Sequence, residues 1–117
     1  MSHVERLAWR WVLINEKAHD DTSGSENCTT ELYEDFCNDT EGSARKIFQF
    51  VGLNWHPQVE KFLLDSTTKD RIAYYSIFKD PKKSANKWRH ELSTHDISAT
   101  MRIAEKSKVG RLYLEKE

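Results

Sequence analysis

The stretch YEDFCNDTEGSARKIFQFVGLNWHP, residues 33–57, decides the fold. Ala44, Ile47, Phe48 and Val51 recur at i, i+3, i+4 and i+7, the spacing that lines one face of a helix. Asn38 or Asp39 stands where an N-cap belongs, and Glu41 places a negative charge in the first turn, where the helix dipole favours it. Gly52 occupies the left-handed position after the last turn, with Leu53 ready to fold back over it. A short turn, Asn54-Trp55-His56, then meets Pro57, whose fixed φ suits the first position of another helix. Val59, Phe62 and Leu63 are the expected buried face of that helix.

Working outward, residues 4–18 read as a helix with Val4, Leu7, Ala8, Trp11, Ile14 and Ala18 on one stripe. Trp9, Val12 and Leu13 widen that stripe beyond an ordinary amphipathic face, so this helix calls for contact on more than one side. Residues 20–27 are polar and turn-rich. Cys28 to Tyr33 is a candidate short strand, with β-branched Thr29 and Thr30. Residues 65–80 look irregular, with a second candidate strand at 72–78. A short helix is expected from Pro81 to Leu92, anchored by Trp88. Ser93 caps a last helix, with Asp96 at its third position and Ile97, Met101, Ile103 and Ala104 inward. Gly110 is expected to end this helix or the turn after it, letting Leu112, Tyr113 and Leu114 tuck back. The fold class is therefore mainly α with one or two short strands, as a single domain or domain fragment over 1–117.

The formal net charge of −1 gives no basis for nucleic-acid binding, and no apolar run approaches the length of a transmembrane segment. Charge is concentrated in one place: Lys79, Lys82, Lys83, Lys87 and Arg89 face Asp80 alone over residues 79–90. Such a run is either a solvated helix face or an anion site. Cys28 and Cys37 have no zinc-type spacing, and both a disulfide and a reducing compartment suit them. Two N-x-T sequons, at Asn27 and Asn38, matter only in a secreted chain. They point toward the secretory route, whereas the lack of a visible signal peptide favours the cytoplasm slightly.

The order of these pieces resembles one family. Tyr33-Glu34-Asp35-Phe36 resembles the YEDL element of sulfotransferases that use 3′-phosphoadenosine 5′-phosphosulfate (PAPS). In that family a helix ending iFxFLGL and then a pWdP turn follow, as Ile47–Leu53 and Asn54–Pro57 do here. A basic loop ending in a Lys/Arg-Trp pair and a Leu-Ser helix start come next, matched by Lys79–Trp88 and Leu92-Ser93. The resemblance spans residues 4–113 and rests on order and interval, since no single motif is specific.

The resemblance implies the C-terminal helical part of a P-loop-type α/β sulfotransferase fold. The family's Gly-, Ser- and Thr-rich phosphate loop, its RDPR-like segment and its general base lie upstream in the family. They have no counterpart among these 117 residues, whose four glycines are isolated. What the chain would contribute is the loop that closes over the nucleotide's 3′-phosphate and adenine, with PAPS or its bisphosphate product PAP as ligand. Tyr33 would sit near the adenine, and Ser76, Lys79, Lys82, Lys87 and Trp88 in or beside the loop. Lys87 is the best match to a phosphate contact, acting as a point charge. Asn86 replaces a glycine found in several family branches, and Asn tolerates a left-handed turn.

Each residue also has a plainer reading. Trp88 reads more readily as a core anchor than as a ligand platform, Tyr33 equally as a core residue or an adenine neighbour, and Lys82 and Lys83 more readily as surface charges. Glu34 and Asp35, adjacent on a strand, would point to opposite faces and so read as structural or capping groups. His90 and His95 are five apart, not the four that zinc binding on one helical face needs. No catalytic residue or metal ligand is assigned. The expected partner is an N-terminal sulfotransferase half or a second copy, docked on the apolar helix 4–18. The alternative is a non-enzymatic helical interaction module.

Overall fold

The computed structural model describes residues 1–68 and 80–115. The described residues form eight helices and no strand: α1 (His3–Thr22), α2 (Tyr33–Asn38), α3 (Thr40–Val51), α4 (Pro57–Thr68), α5 (Pro81–Asn86), α6 (Trp88–Glu91), α7 (Thr94–Ala104) and α8 (Lys108–Leu114). The protein is mainly helical, as its periodicity predicts. The strand expected at Cys28–Tyr33 is not formed. Residues 28–32 have no regular structure, Leu32 is an extended N-cap, and Tyr33 opens α2. A six-residue strand has no stability without a neighbour to take its ladder bonds, and the described residues supply none. Glu34 and Asp35 instead fall in the first turn of a helix, where the dipole favours carboxylates. The second candidate strand, 72–78, lies outside the described residues.

The chain divides into two compact units. The first joins Met1–Thr30 to Arg89–Glu117. In it α1 packs along α7, and α8 packs on both. Ser2 starts α1 with a capping box: its hydroxyl accepts the Glu5 N–H at 3.2 Å, and the Glu5 carboxylate accepts the Ser2 N–H at 2.6 Å. Ser93 caps α7 as its sequence predicts, accepting from the Asp96 N–H at 3.1 Å. Ala8, Val12 and Ile103 form the core of this unit, with Trp9 packed against it.

The buried face of α1 keeps only part of its apolar stripe. Ala8 and Val12 are buried, yet Leu7 and Ile14 are 50% and 57% exposed. That face continues through half-buried Asn15, Glu16 and His19, of which Glu16 meets the start of α8. Gly110 also departs from its expected role. It lies inside α8, and its N–H donates to the buried Ser107 hydroxyl at 2.8 Å. A Cβ at this position would collide with the Ala104 carbonyl oxygen.

The second unit is Glu31–Trp88. In it α2 packs against α3 and α5, and α3 against α4. Asp39 caps α3, accepting the Gly42 N–H at 3.0 Å. At the other end Gly52 adopts φ 77°, and the paired bonds of a Schellman motif form: Leu53 N–H to the Phe48 carbonyl at 2.9 Å, Gly52 N–H to that of Gln49 at 3.2 Å. The chain then turns so that Trp55 meets Phe48 edge-on, with ring centres 5.2 Å apart. The Arg45 guanidinium lies 4.3 Å above the same indole. His56 closes the turn by capping α4, its Nδ1 accepting the Gln58 N–H at 3.0 Å. Of the face expected for α4, Val59 and Leu63 are half-buried but Phe62 is exposed.

Candidate functional site

The sequence assigns its candidate ligand residues to two separate stretches, and in the second unit the helices that carry Tyr33, itself exposed, and Lys82 pack against each other. Tyr33 is the first residue of α2, Lys82 lies in the first turn of α5, and α2 packs against α5. Each helix buries one small residue, Cys37 in α2 and Ala85 in α5. Lys87 and Trp88 follow α5 directly. Ser76 and Lys79 lie outside the described residues.

The start of α5 follows from Asp80 and Pro81. The proline stands at the first helical position, where its missing N–H costs nothing. The Asp80 carboxylate accepts the backbone N–H groups of Lys82 and Lys83 at 3.0 and 3.3 Å. Its charge offsets the two lysines in the first turn, which the helix dipole alone would disfavour. Lys82, Lys83 and Lys87 are exposed, and Trp88 is half-buried. The single helix expected from Pro81 to Leu92 is divided at Lys87 into α5 and α6.

Asn86 is not left-handed. It is the last residue of α5, and no residue other than glycine has positive φ among the described residues. Its carboxamide donates to the Lys82 carbonyl at 2.8 Å, a bond that a right-handed helical turn brings within reach.

Sequence reasoning missed one relationship in this region. Tyr33 and Cys37 stand four residues apart on α2, and each side chain affects the other's titration. Desolvation raises the Tyr33 phenol above its ordinary range, and the neighbouring Cys37 side chain raises it further. Burial also pushes the Cys37 thiol up, with the Glu34 charge adding to the effect and the tyrosine opposing it. Cys37 is therefore held as a thiol rather than poised as a nucleophile. The signal was the i, i+4 spacing, which has meaning only on a helix; the strand reading of Tyr33 concealed it. Beside it, Glu34 carries a buried Oε2 with no hydrogen-bond partner.

Cys28 is exposed, Cys37 is buried, and both are free. His90 and His95 fall on different helices, α6 and α7. Among the described residues no group of three or more His, Cys, Asp or Glu side chains could hold a metal ion. No described helix is long and apolar enough to cross a membrane. Compared with known protein families, curated proteins and solved structures, the chain matches none.

Proposed function

We propose that the chain is the C-terminal portion of a PAPS-dependent sulfotransferase and contributes the element that closes over the nucleotide. One observation carries this reading beyond motif order: α2, with Tyr33, packs on α5, with Lys82, and Lys87-Trp88 follows at once. Tyr33, Lys82, Lys87 and Trp88, four of the residues that the resemblance assigns to the nucleotide, thus belong to one compact unit. The helix–turn–helix from Asp39 to Thr68 supports it further, because Gly52, Trp55 and Pro57 serve the turn that their motif spacing implies.

In chemical terms the lysines would meet a dianionic phosphate as point charges, and the tyrosine ring would flank a purine. Sulfuryl transfer requires an oriented donor and a leaving phosphate stabilised by cations and N–H groups. This chain would supply the closing cations. A phosphate-loop half would supply the cradle, so turnover is expected only with both.

A second reading, a non-enzymatic helical interaction module, is favoured by the large apolar side chains exposed on α1, α3 and α4. These include Leu13, Val51 and Leu64, each more than half exposed. The nucleotide separates the two readings. Calorimetric titration of adenosine 3′,5′-bisphosphate should give binding that weakens with salt and is lost in Lys87→Ala. No binding, even with a phosphate-loop half supplied, would remove the sulfotransferase reading.

A further inference from the structure

The two sequons stand in unlike surroundings. Asn27-Cys28-Thr29 lies in the segment between α1 and α2, and all three residues are exposed. The chain leaves α1 at Ser23 and turns through Gly24, whose φ is 89°. Two long bonds hold the sequon backbone: Asn27 N–H to Ser25 Oγ at 3.3 Å and Cys28 N–H to the Ser25 carbonyl at 3.4 Å. The Asn27 carboxamide and the Thr29 hydroxyl make no hydrogen bond among the described residues. Extending this tripeptide into a transferring enzyme would disturb no helix.

Asn38-Asp39-Thr40 is locked in place. Asn38 is the last residue of α2 and Thr40 the first of α3. Between them the Asp39 carboxylate caps α3, its N–H donates to the Asp35 carbonyl at 3.0 Å, and its carbonyl accepts from Ser43 at 2.9 Å. The Thr40 hydroxyl is already committed, donating to the Phe36 carbonyl at 3.0 Å. Cys37, immediately before the sequon, is 4% exposed. Drawing these residues into an extended strand would unwind both helix ends and uncover a buried side chain.

We infer that Asn27 is an N-glycan acceptor on the folded protein and that Asn38 is not. The inference is independent of the proposed sulfotransferase role. The donor class is an oligosaccharide joined through pyrophosphate to a polyprenol lipid. Asn27 Nδ2 forms a bond to the anomeric carbon, and the bond from that carbon to the pyrophosphate oxygen breaks. The electron pair leaves with the lipid pyrophosphate, and Nδ2 gives up one of its two protons to a base of the transferring enzyme. The hydroxyl of Thr29 completes the recognition unit.

The test uses the purified, folded chain with solubilised microsomal transferase and lipid-linked oligosaccharide, and peptide mass mapping as readout. The expected result is glycan on Asn27 alone, wholly lost in Thr29→Ala and retained in Thr40→Ala. Heat-unfolded chain should accept glycan at both asparagines. Glycan on Asn38 of the folded chain, or none on Asn27, overturns the inference.

Discussion

The Glu16 carboxylate of α1 accepts the backbone N–H of Val109 in α8 at 3.3 Å, across 93 residues of sequence. The first N–H groups of a helix have no partner within it. In α8 two of them are met from outside the helix, Gly110 by the Ser107 hydroxyl and Val109 by Glu16. Glu16→Ala should therefore destabilise the first unit by about 1.5–3 kcal/mol, the range for a hydrogen bond to a charged group. Glu16→Gln should lose less. Urea denaturation gives the magnitude, and faster amide exchange confined to α8 would locate it.

The same junction carries an ion pair between Lys108 Nζ and Asp20 Oδ1 at 3.0 Å. The hydrogen bond to Asp20, then its charge, holds the Lys108 ammonium above the ordinary lysine value of 10.5. A raised folded value means that the pair stabilises fully below the unfolded pKa. That contribution disappears as pH rises through the folded one. Lys108→Met should thus be less stable than the parent at neutral pH and low salt. The difference should shrink in high salt and vanish at strongly alkaline pH. Thermal melts across pH and salt check both trends.

Arg45 draws three elements of the second unit together. It pairs with Glu41 in its own helix at 2.9 Å, approaches Glu60 in α4 at 3.9 Å, and stacks over Trp55 in the turn between. The exposed ion pairs contribute little on their own. The stacking accounts for roughly 0.5–2 kcal/mol. Arg45→Ala should cost about 1 kcal/mol, and Arg45→Lys should recover only part of it because the planar guanidinium is gone. A double-mutant cycle with Trp55→Leu, read by denaturant midpoint, should show coupling; additive losses would dismiss the contact.

Two glycines predict opposite rescue behaviour. Gly52→Ala forces a side chain into the left-handed region at a cost of about 1–2 kcal/mol, and Gly52→Asn should be milder. Nothing lies within 4 Å of a Cβ added at Gly52, so the loss is conformational alone. Gly110 has ordinary helical backbone, but a Cβ there meets the Ala104 carbonyl. Gly110→Ala should cost about 1–3 kcal/mol through overpacking, and Asn should be worse, not better. Thermal unfolding of the four variants distinguishes the cases.

The candidate site was legible to different depths. Lys82, Lys87 and Trp88 stood out because a charge run next to an aromatic needs no tertiary knowledge to be noticed. The contact between α2 and α5 was not legible, since nothing in Tyr33-Glu34-Asp35-Phe36 names its distant neighbour. The Tyr33–Cys37 pairing was hidden behind a wrong local assignment. β-Branched Thr29 and Thr30 suggested a strand, whereas the described residues hold no strand to pair with it.

What the sequence determined by itself is local. Asp39, Gly52 and Leu53, Pro57, Ser93 and Asp96 mark helix ends where they are found, because caps act over three to five residues through bonds to the nearby backbone. Tertiary structure decided how far each apolar face turned inward, α1 above all: Ala44 of α3 and Ile103 of α7 are buried as their periodicity implies. The apolar stripe of α1 held Leu7, Ala8 and Ile14 alike, yet of these three Ala8 alone is buried, together with Val12 from the widened edge. Small residues let α7 approach closely, and Glu16 on the same side supplies the acceptor that α8 needs. Burial follows the fit of neighbours and the satisfaction of their polar groups, and neither is written in the periodicity of a single helix.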